Sequence, residues 1–262
     1  MKKEDKKDWA LILGGSSGLG LATAIKLSKH NFNIIVIHRD KRSDIELIND
    51  KFQEITSSSS KLISFNADAT NGAKQKLLMG EIAHALAGAK IKVLVHSIAK
   101  GNLKPMYAKE GLELQNQDFN LTIDAMAVSF YDWVKLLVSD SLFTEDARAI
   151  AFTSEGNSKA WVNYGAVSAA KAALEAIMRN IALEFASVGV KANCIQAGIT
   201  LTKSFEMIPG SVVLKESALE RNPNGRLTTP EDVANALYLL TMPEAKWITG
   251  TIIKVDGGES LQ

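Results

Sequence analysis

The sequence predicts an α/β fold, a doubly wound parallel sheet of seven strands with helices on both faces. Seven short apolar runs alternate mostly with helical patterns, and a glycine-rich turn sits directly between the first run and the first helix. Hydrophobic residues make up 46% of 262, enough to fill one sizeable core. Right-handed crossovers between parallel strands then place the helices on both faces. With neither an internal repeat nor a linker, residues 1–262 read as a single domain.

Taken in order, Trp9 to Leu13 is a strand-length apolar run. It ends in Gly14-Gly15-Ser16-Ser17-Gly18-Leu19-Gly20 and passes into a helical pattern over Leu21 to Ser28. Asn33 to Ile37 repeats the strand signal, Asp44 to Ile55 the helix, Lys61 to Phe65 the strand and Ala73 to Leu86 the helix. Ile91 to Val95 is the fourth strand, Asp118 to Val138 one helix, and Ala147 to Phe152 the fifth strand. Asn163 to Glu184, rich in Ala, Leu, Met and Glu, predicts a long helix. Val190 to Ile195 and Thr251 to Val255 supply the last strands. The four serines Ser57 to Ser60 read as a surface turn. Residues 200–229, with Pro209-Gly210 and Asn222-Pro223-Asn224-Gly225, break the alternation and read as a partly helical substrate loop.

Thirty basic against twenty-nine acidic residues leave a net charge of +1, so no overall field points to nucleic acid or membrane. A small molecule is the expected partner. Cys194 is the only cysteine, in the apolar run Val190 to Ile195, and reads as a buried, inert thiol compatible with a reducing cytosol. No apolar run approaches the roughly 18 residues of a membrane span, and the N-terminal M-K-K-E-D-K-K-D lacks a following signal-peptide cleavage site. A soluble, cytoplasmic protein is expected.

The chemistry concentrates in four places. Gly14, Gly18 and Gly20 have G-x-x-x-G-x-G spacing between strand and helix, where backbone N–H groups and a helix N-terminus can meet a pyrophosphate. The second strand ends in Ile37-His38-Arg39-Asp40-Lys41-Arg42, where an acid would select NAD(H) and a cation NADP(H). With His38 and Arg39 nearest, NADP(H) is favoured, while Asp40 leaves NAD(H) open. Asp68 follows the third strand as either an acceptor for an adenine amino group or a helix N-cap. Tyr164 and Lys171 stand seven apart near the start of the long helix, which predicts both side chains on one face, since seven residues fall about 20° short of two turns. There the ammonium would favour the phenolate and make the phenol a better proton donor.

Together these motifs, with the ending Val255-Asp256-Gly257-Gly258, resemble the short-chain dehydrogenase/reductase family over nearly the whole chain. Most of that family place the catalytic Tyr four residues before the Lys, where this chain has Val167, and carry N-N-A-G where it has His96-Ser97-Ile98-Ala99. Both departures resemble the enoyl-acyl-carrier-protein reductase branch, with Tyr-x6-Lys and V-H-S-I-A; Phe119 to Asp124 followed by Ser129 is also similar to it. Ser154, with Thr153 before it, stands where that branch often has a second Tyr. Ala197-Gly198-Ile199-Thr200-Leu201-Thr202 departs from its A-G-P-I-R-T, and the glycine loop is of the general family type.

The resemblance implies a Rossmann sheet and a catalytic set of Tyr164, Lys171 and Ser154. It implies cofactor contacts from Gly14, Ser16, Ser17, Gly18, Leu19 and Gly20, from His38 and Arg39, and from Asp68 and Ala69. It further implies contacts from Ser97, Ile98 and Ala99, from Lys171, and from Ala197, Gly198, Thr200 and Thr202. The implied reaction is reduction of an enoyl thioester on acyl carrier protein or CoA: Tyr164 O–H stabilises the carbonyl oxygen and Lys171 holds the nicotinamide ribose. Alternatives are a 3-oxoacyl or other carbonyl reductase, a dienoyl-thioester reductase, and a non-catalytic NADP-binding module. A homotetramer formed through the helices at 118–138 and 163–184 is expected. His96 reads as a backbone-supporting residue and not a metal ligand, no metal site being implied, while Trp161 and Met207 are candidates for an acyl pocket.

Overall fold

The computed structural model describes residues 7–262; the charged run at 1–6 lies outside it. Seven parallel strands form one sheet in the order β3-β2-β1-β4-β5-β6-β7. They are β1 (Asp8–Leu13), β2 (Phe32–His38), β3 (Leu62–Asn66), β4 (Ile91–His96), β5 (Phe143–Ser154), β6 (Val190–Ala197) and β7 (Ile252–Val255). The order reverses between β1 and β4, so the crevice outside their carboxyl ends is the place where this topology leaves room for a ligand.

Helices cover both faces because successive strand residues point to opposite sides. Ala10, Ile12, Ile34 and Val36 pack on α1 (Gly18–Ser28), α2 (Ile45–Thr56) and α9 (Pro230–Thr241). Leu11, Leu13, Ile35 and Ile37 face α3 (Gly72–Leu86), α5 (Ser129–Ser139) and α6 (Gly165–Glu184). A third apolar cluster, with Met126, Val167, Ile199, Phe205 and Ile208, lies beyond the strand ends.

The expected single helix over Asp118 to Val138 is two. α4 (Asn116–Ile123) and α5 are joined by a π-helical turn at Asp124–Val128, where the Ser129 hydroxyl donates to the Ala125 carbonyl. Such an extra residue in a helix re-aims side chains, and here Met126 faces a cavity. The loop at 200–229 holds two helices, α7 (Lys203–Glu206) and α8 (Ser211–Arg221). α9 went unread in the sequence despite a clear start signal: Thr229 caps it by accepting from Asp232 N, with Pro230 at its first position. β5 also begins four residues earlier than its apolar core suggests, at Phe143.

Candidate active site

Two cavities open at the carboxyl ends of the strands, and they meet at Thr153 and Lys171. The first is bordered by the glycine turn and the ends of β2, β3 and β4. Gly14 there has φ +81°, and a Cβ on it would collide with the Ser97 carbonyl, so the turn draws β1 and β4 together where the sheet order reverses. Ser17, the N-cap of α1, makes no side-chain hydrogen bond to the helix, which leaves the amides of the first turn to a ligand. A pyrophosphate fits these donors. Gly20 does not border the cavity; a Cβ on it would strike the Gly14 carbonyl, so its place is in packing the turn onto the helix.

The adenosine end differs from the sequence reading in several respects. Asp68 is not a helix cap, since Asn71 caps α3. Its Oδ1 accepts from the Thr70 amide (2.9 Å) and hydroxyl (2.6 Å), and its Oδ2 accepts from Arg39 (3.1 Å) and Lys100 (3.2 Å). Burial pushes this carboxyl up, but the Thr70 and Lys100 hydrogen bonds outweigh it and hold the group well below the usual carboxylate range. His38 borders the cavity, yet its ring is buried against Phe52 and bonded through Nδ1 to Asp40 at 2.8 Å. Arg39 is therefore the exposed cation of this strand end that borders the cavity, and Asp40 is engaged with His38. Ser16, Leu19, Ala69, Ile98, Ala99 and Thr202 border the same cavity.

The second cavity holds Tyr164, Ser154 and Lys171. Tyr164 does not lie on the face of α6 as the seven-residue spacing predicts. It is the residue just before the helix, with φ −110° and ψ 3°, after Asn163 at φ +65°. Its carbonyl accepts from Ser168 N at 2.8 Å, so it starts the helix while its side chain turns into the cavity beside Trp161, ring centroids 5.3 Å apart. Burial raises the phenol's pKa, and the neighbouring Ser154 hydroxyl, rather than Lys171, is the group that counters it. Ser154 Oγ is itself buried without a well-formed hydrogen bond, which leaves both hydroxyls to a bound oxygen.

Lys171 is buried and donates to the Phe152 carbonyl at 2.6 Å. Burial lowers its pKa to about 8; of the two acidic groups beside it, Cys194 is pushed up to about 12 and stays a neutral thiol, so Glu175 is the charge that partly counters burial. His96 is 1% exposed, and its Nε2 faces Ser129 Oγ at 2.8 Å. Burial, then the Lys171 charge, lowers its pKa to about 3, so it is neutral and supports the site from behind. Ala197, Gly198 and Thr200 border this second cavity, not the first. Trp161 and Met207 line it, with Leu103, Met126, Phe205 and Ile208, which no sequence signal singled out. Leu103 is fixed from both sides: Asp118 accepts from Asn102 Nδ2 (2.6 Å) and from Lys104 Nζ (2.9 Å). Among the described residues no cluster of His, Cys, Asp and Glu could hold a metal ion, and no helix is long and apolar enough to cross a membrane.

A family model described as enoyl-(acyl carrier protein) reductase matches residues 14–260. The chain belongs to the short-chain dehydrogenase/reductase family. It is an NAD(P)-dependent oxidoreductase of that family. A tropinone reductase homolog of Arabidopsis thaliana is 28% identical over 254 residues, covering 97% of this chain and 91% of that protein. The 7alpha-hydroxysteroid dehydrogenase of Escherichia coli (strain K12) is 25% identical over 252 residues, covering 95% and 92%. The crystal structure of the enoyl-[acyl-carrier-protein] reductase (NADH) from Aquifex aeolicus VF5 superposes with a TM-score of 0.83 over 97% of each chain at 23% identity, a likeness of fold.

Proposed function

We propose that this oxidoreductase reduces the 2,3 double bond of an enoyl thioester, carried on acyl carrier protein or CoA, with NADPH favoured over NADH. The observation that carries the reading is Tyr164 at the start of α6, seven residues before Lys171 and ten after Ser154, facing an apolar cavity. A bound nicotinamide cofactor supplies the hydride. Tyr164 would hydrogen-bond through its O–H to the thioester carbonyl oxygen, where negative charge collects as the β-carbon receives the hydride, a preorganised donor acting most strongly at such an atom. Ser154 offers a second hydroxyl to the same oxygen, and a solvent-derived proton added at the α-carbon completes the reduction. Lys171 holds the ribose hydroxyls and keeps positive charge beside the reacting atoms. The walls formed by Leu103, Met126, Trp161, Phe205 and Ile208 exclude water and accept an acyl chain.

Arg39 supports the NADPH preference: it is an exposed cation at the end of β2 that borders the first cavity, paired there with Asp68, whereas the acid that follows it, Asp40, is engaged with His38. Exposed apolar residues on the helices expected to pair, Leu121 on α4 and Leu183 on α6, support a homotetramer.

Carbonyl reduction is the second reading, favoured by Ser154 next to Tyr164, since the same two hydroxyls would polarise a ketone. Incubation with NADPH and, separately, a crotonyl thioester and a 3-oxobutyryl thioester distinguishes the two. Faster NADPH oxidation with the crotonyl thioester is expected; turnover of the 3-oxo substrate alone would replace enoyl by carbonyl reduction.

A further inference from the structure

Glu175 is a buried carboxylate that the reaction as described does not use. It lies one helical turn beyond Lys171 on α6, on the same face, and is 7% exposed. Its Oε1 accepts from the Thr153 hydroxyl at 2.6 Å and from Asn157 Nδ2. Thr153 stands between Phe152, whose carbonyl receives the Lys171 ammonium, and Ser154. The two charged side chains are thus anchored on adjacent residues of β5.

The groups facing Lys171 from each packed element leave it with one source of negative charge. On β6, Cys194 is buried, and burial together with the Glu175 charge pushes its thiol up to about 12, so it stays neutral. On β4, His96 is neutral as well. Tyr164, before α6, is held as a neutral phenol by burial. Arg179, one further turn along α6, adds positive charge and is exposed. A buried ammonium is stabilised in its charged form only by hydrogen bonds and by a nearby opposite charge, and a buried carboxylate without one would be strongly disfavoured.

We infer that Glu175 is a positioning residue of this active site, whose carboxylate keeps Lys171 charged and orients Thr153 where the two cavities meet. The inference rests on the assignment of Lys171 to the cofactor. Glu175→Gln keeps an acceptor for Thr153 and Asn157 and removes the charge.

The test is NADPH binding by fluorescence titration from mildly acidic (about pH 5.5) to alkaline pH. Affinity of the unmodified protein should fall as the pH rises through the Lys171 pKa of about 8. In Glu175→Gln that fall should move down by about one pH unit, to a midpoint near neutrality, giving about tenfold weaker binding on the alkaline side with affinity at about pH 5.5 unchanged. Asn157→Ala, which loosens the same turn but keeps the charge, should leave the fall where it is. A uniform weakening at every pH in Glu175→Gln, or an unmoved fall, would mean that Glu175 only ties down the turn and would overturn the inference. Should circular dichroism show that this variant does not fold, Glu175→Asp, whose carboxylate is withdrawn by one methylene, should give a smaller shift of the same sign, and no shift there overturns it equally. Unmodified NADPH affinity in Lys171→Ala would instead remove the assignment of Lys171 to the cofactor and the inference with it.

Discussion

Replacing Tyr164 by Phe removes one oxygen and leaves the ring. That ring packs beside Trp161 at 5.3 Å and over Gly156, at which a Cβ would come within 2.5 Å of the Tyr164 ring. Its hydroxyl lies beside Ser154, without a well-formed hydrogen bond to it. Losing such a hydroxyl costs folding no more than about 1 kcal/mol, so the variant remains folded. Catalysis should suffer far more, because the donor acts where charge develops: about 10²- to 10³-fold in kcat, or about 3–4 kcal/mol. NADPH affinity, which depends on Lys171 and the glycine turn, should change little. The assay is steady-state NADPH oxidation with a crotonyl thioester, beside a fluorescence titration of NADPH. A near-unmodified rate in Tyr164→Phe, with activity lost instead on changing Val167 or Ser168, would refute the reasoning and place the active site elsewhere.

Arg39→Asp should reverse the cofactor preference. A charge-assisted contact to the 2′-phosphate contributes about 1.5–3 kcal/mol, so NADPH binding should weaken about 10- to 100-fold while NADH binding improves. Equilibrium titration in which the unmodified protein already binds NADH more tightly would contradict the assignment of Arg39. Analytical sedimentation at micromolar concentration should find a tetramer, with the exposed Leu121 and Leu183 covered by neighbouring copies. A monomer there would leave those faces to solvent and end the proposal.

Much of the fold was legible because its signals are local. Strand-length apolar runs and helical periodicity follow from residues a few positions apart, and Gly14, Gly18 and Gly20 mark a turn whose steric needs few other residues meet. The same locality explains why the Tyr164–Lys171 spacing was informative and its geometric reading wrong. Seven residues of uninterrupted helix would put both on one face, but Asn163 in the left-handed region sets the entry to α6, and Tyr164 reaches the cavity from outside the helix. The π-helical turn at Asp124–Val128 was hidden for a similar reason: its apolar sequence is good helix either way, and contacts with the cavity and with His96 through Ser129 decide its register.

The sequence by itself determined the alternation of strands and helices, the place of the phosphate-binding turn, and the residue types that hydride-transfer chemistry needs. Only the tertiary structure decided which charges pair with which. Arg39 and Asp40 are neighbours in the chain, yet Asp40 is engaged with the buried His38 while Arg39 and Lys100 converge on Asp68 from two other strand ends. Glu175 reads as one more acidic residue on a helix until folding buries it beside Thr153 and Lys171. The physical reason is that propensity and periodicity depend on a residue's own neighbours, whereas desolvation and charge pairing depend on what the rest of the chain brings against it.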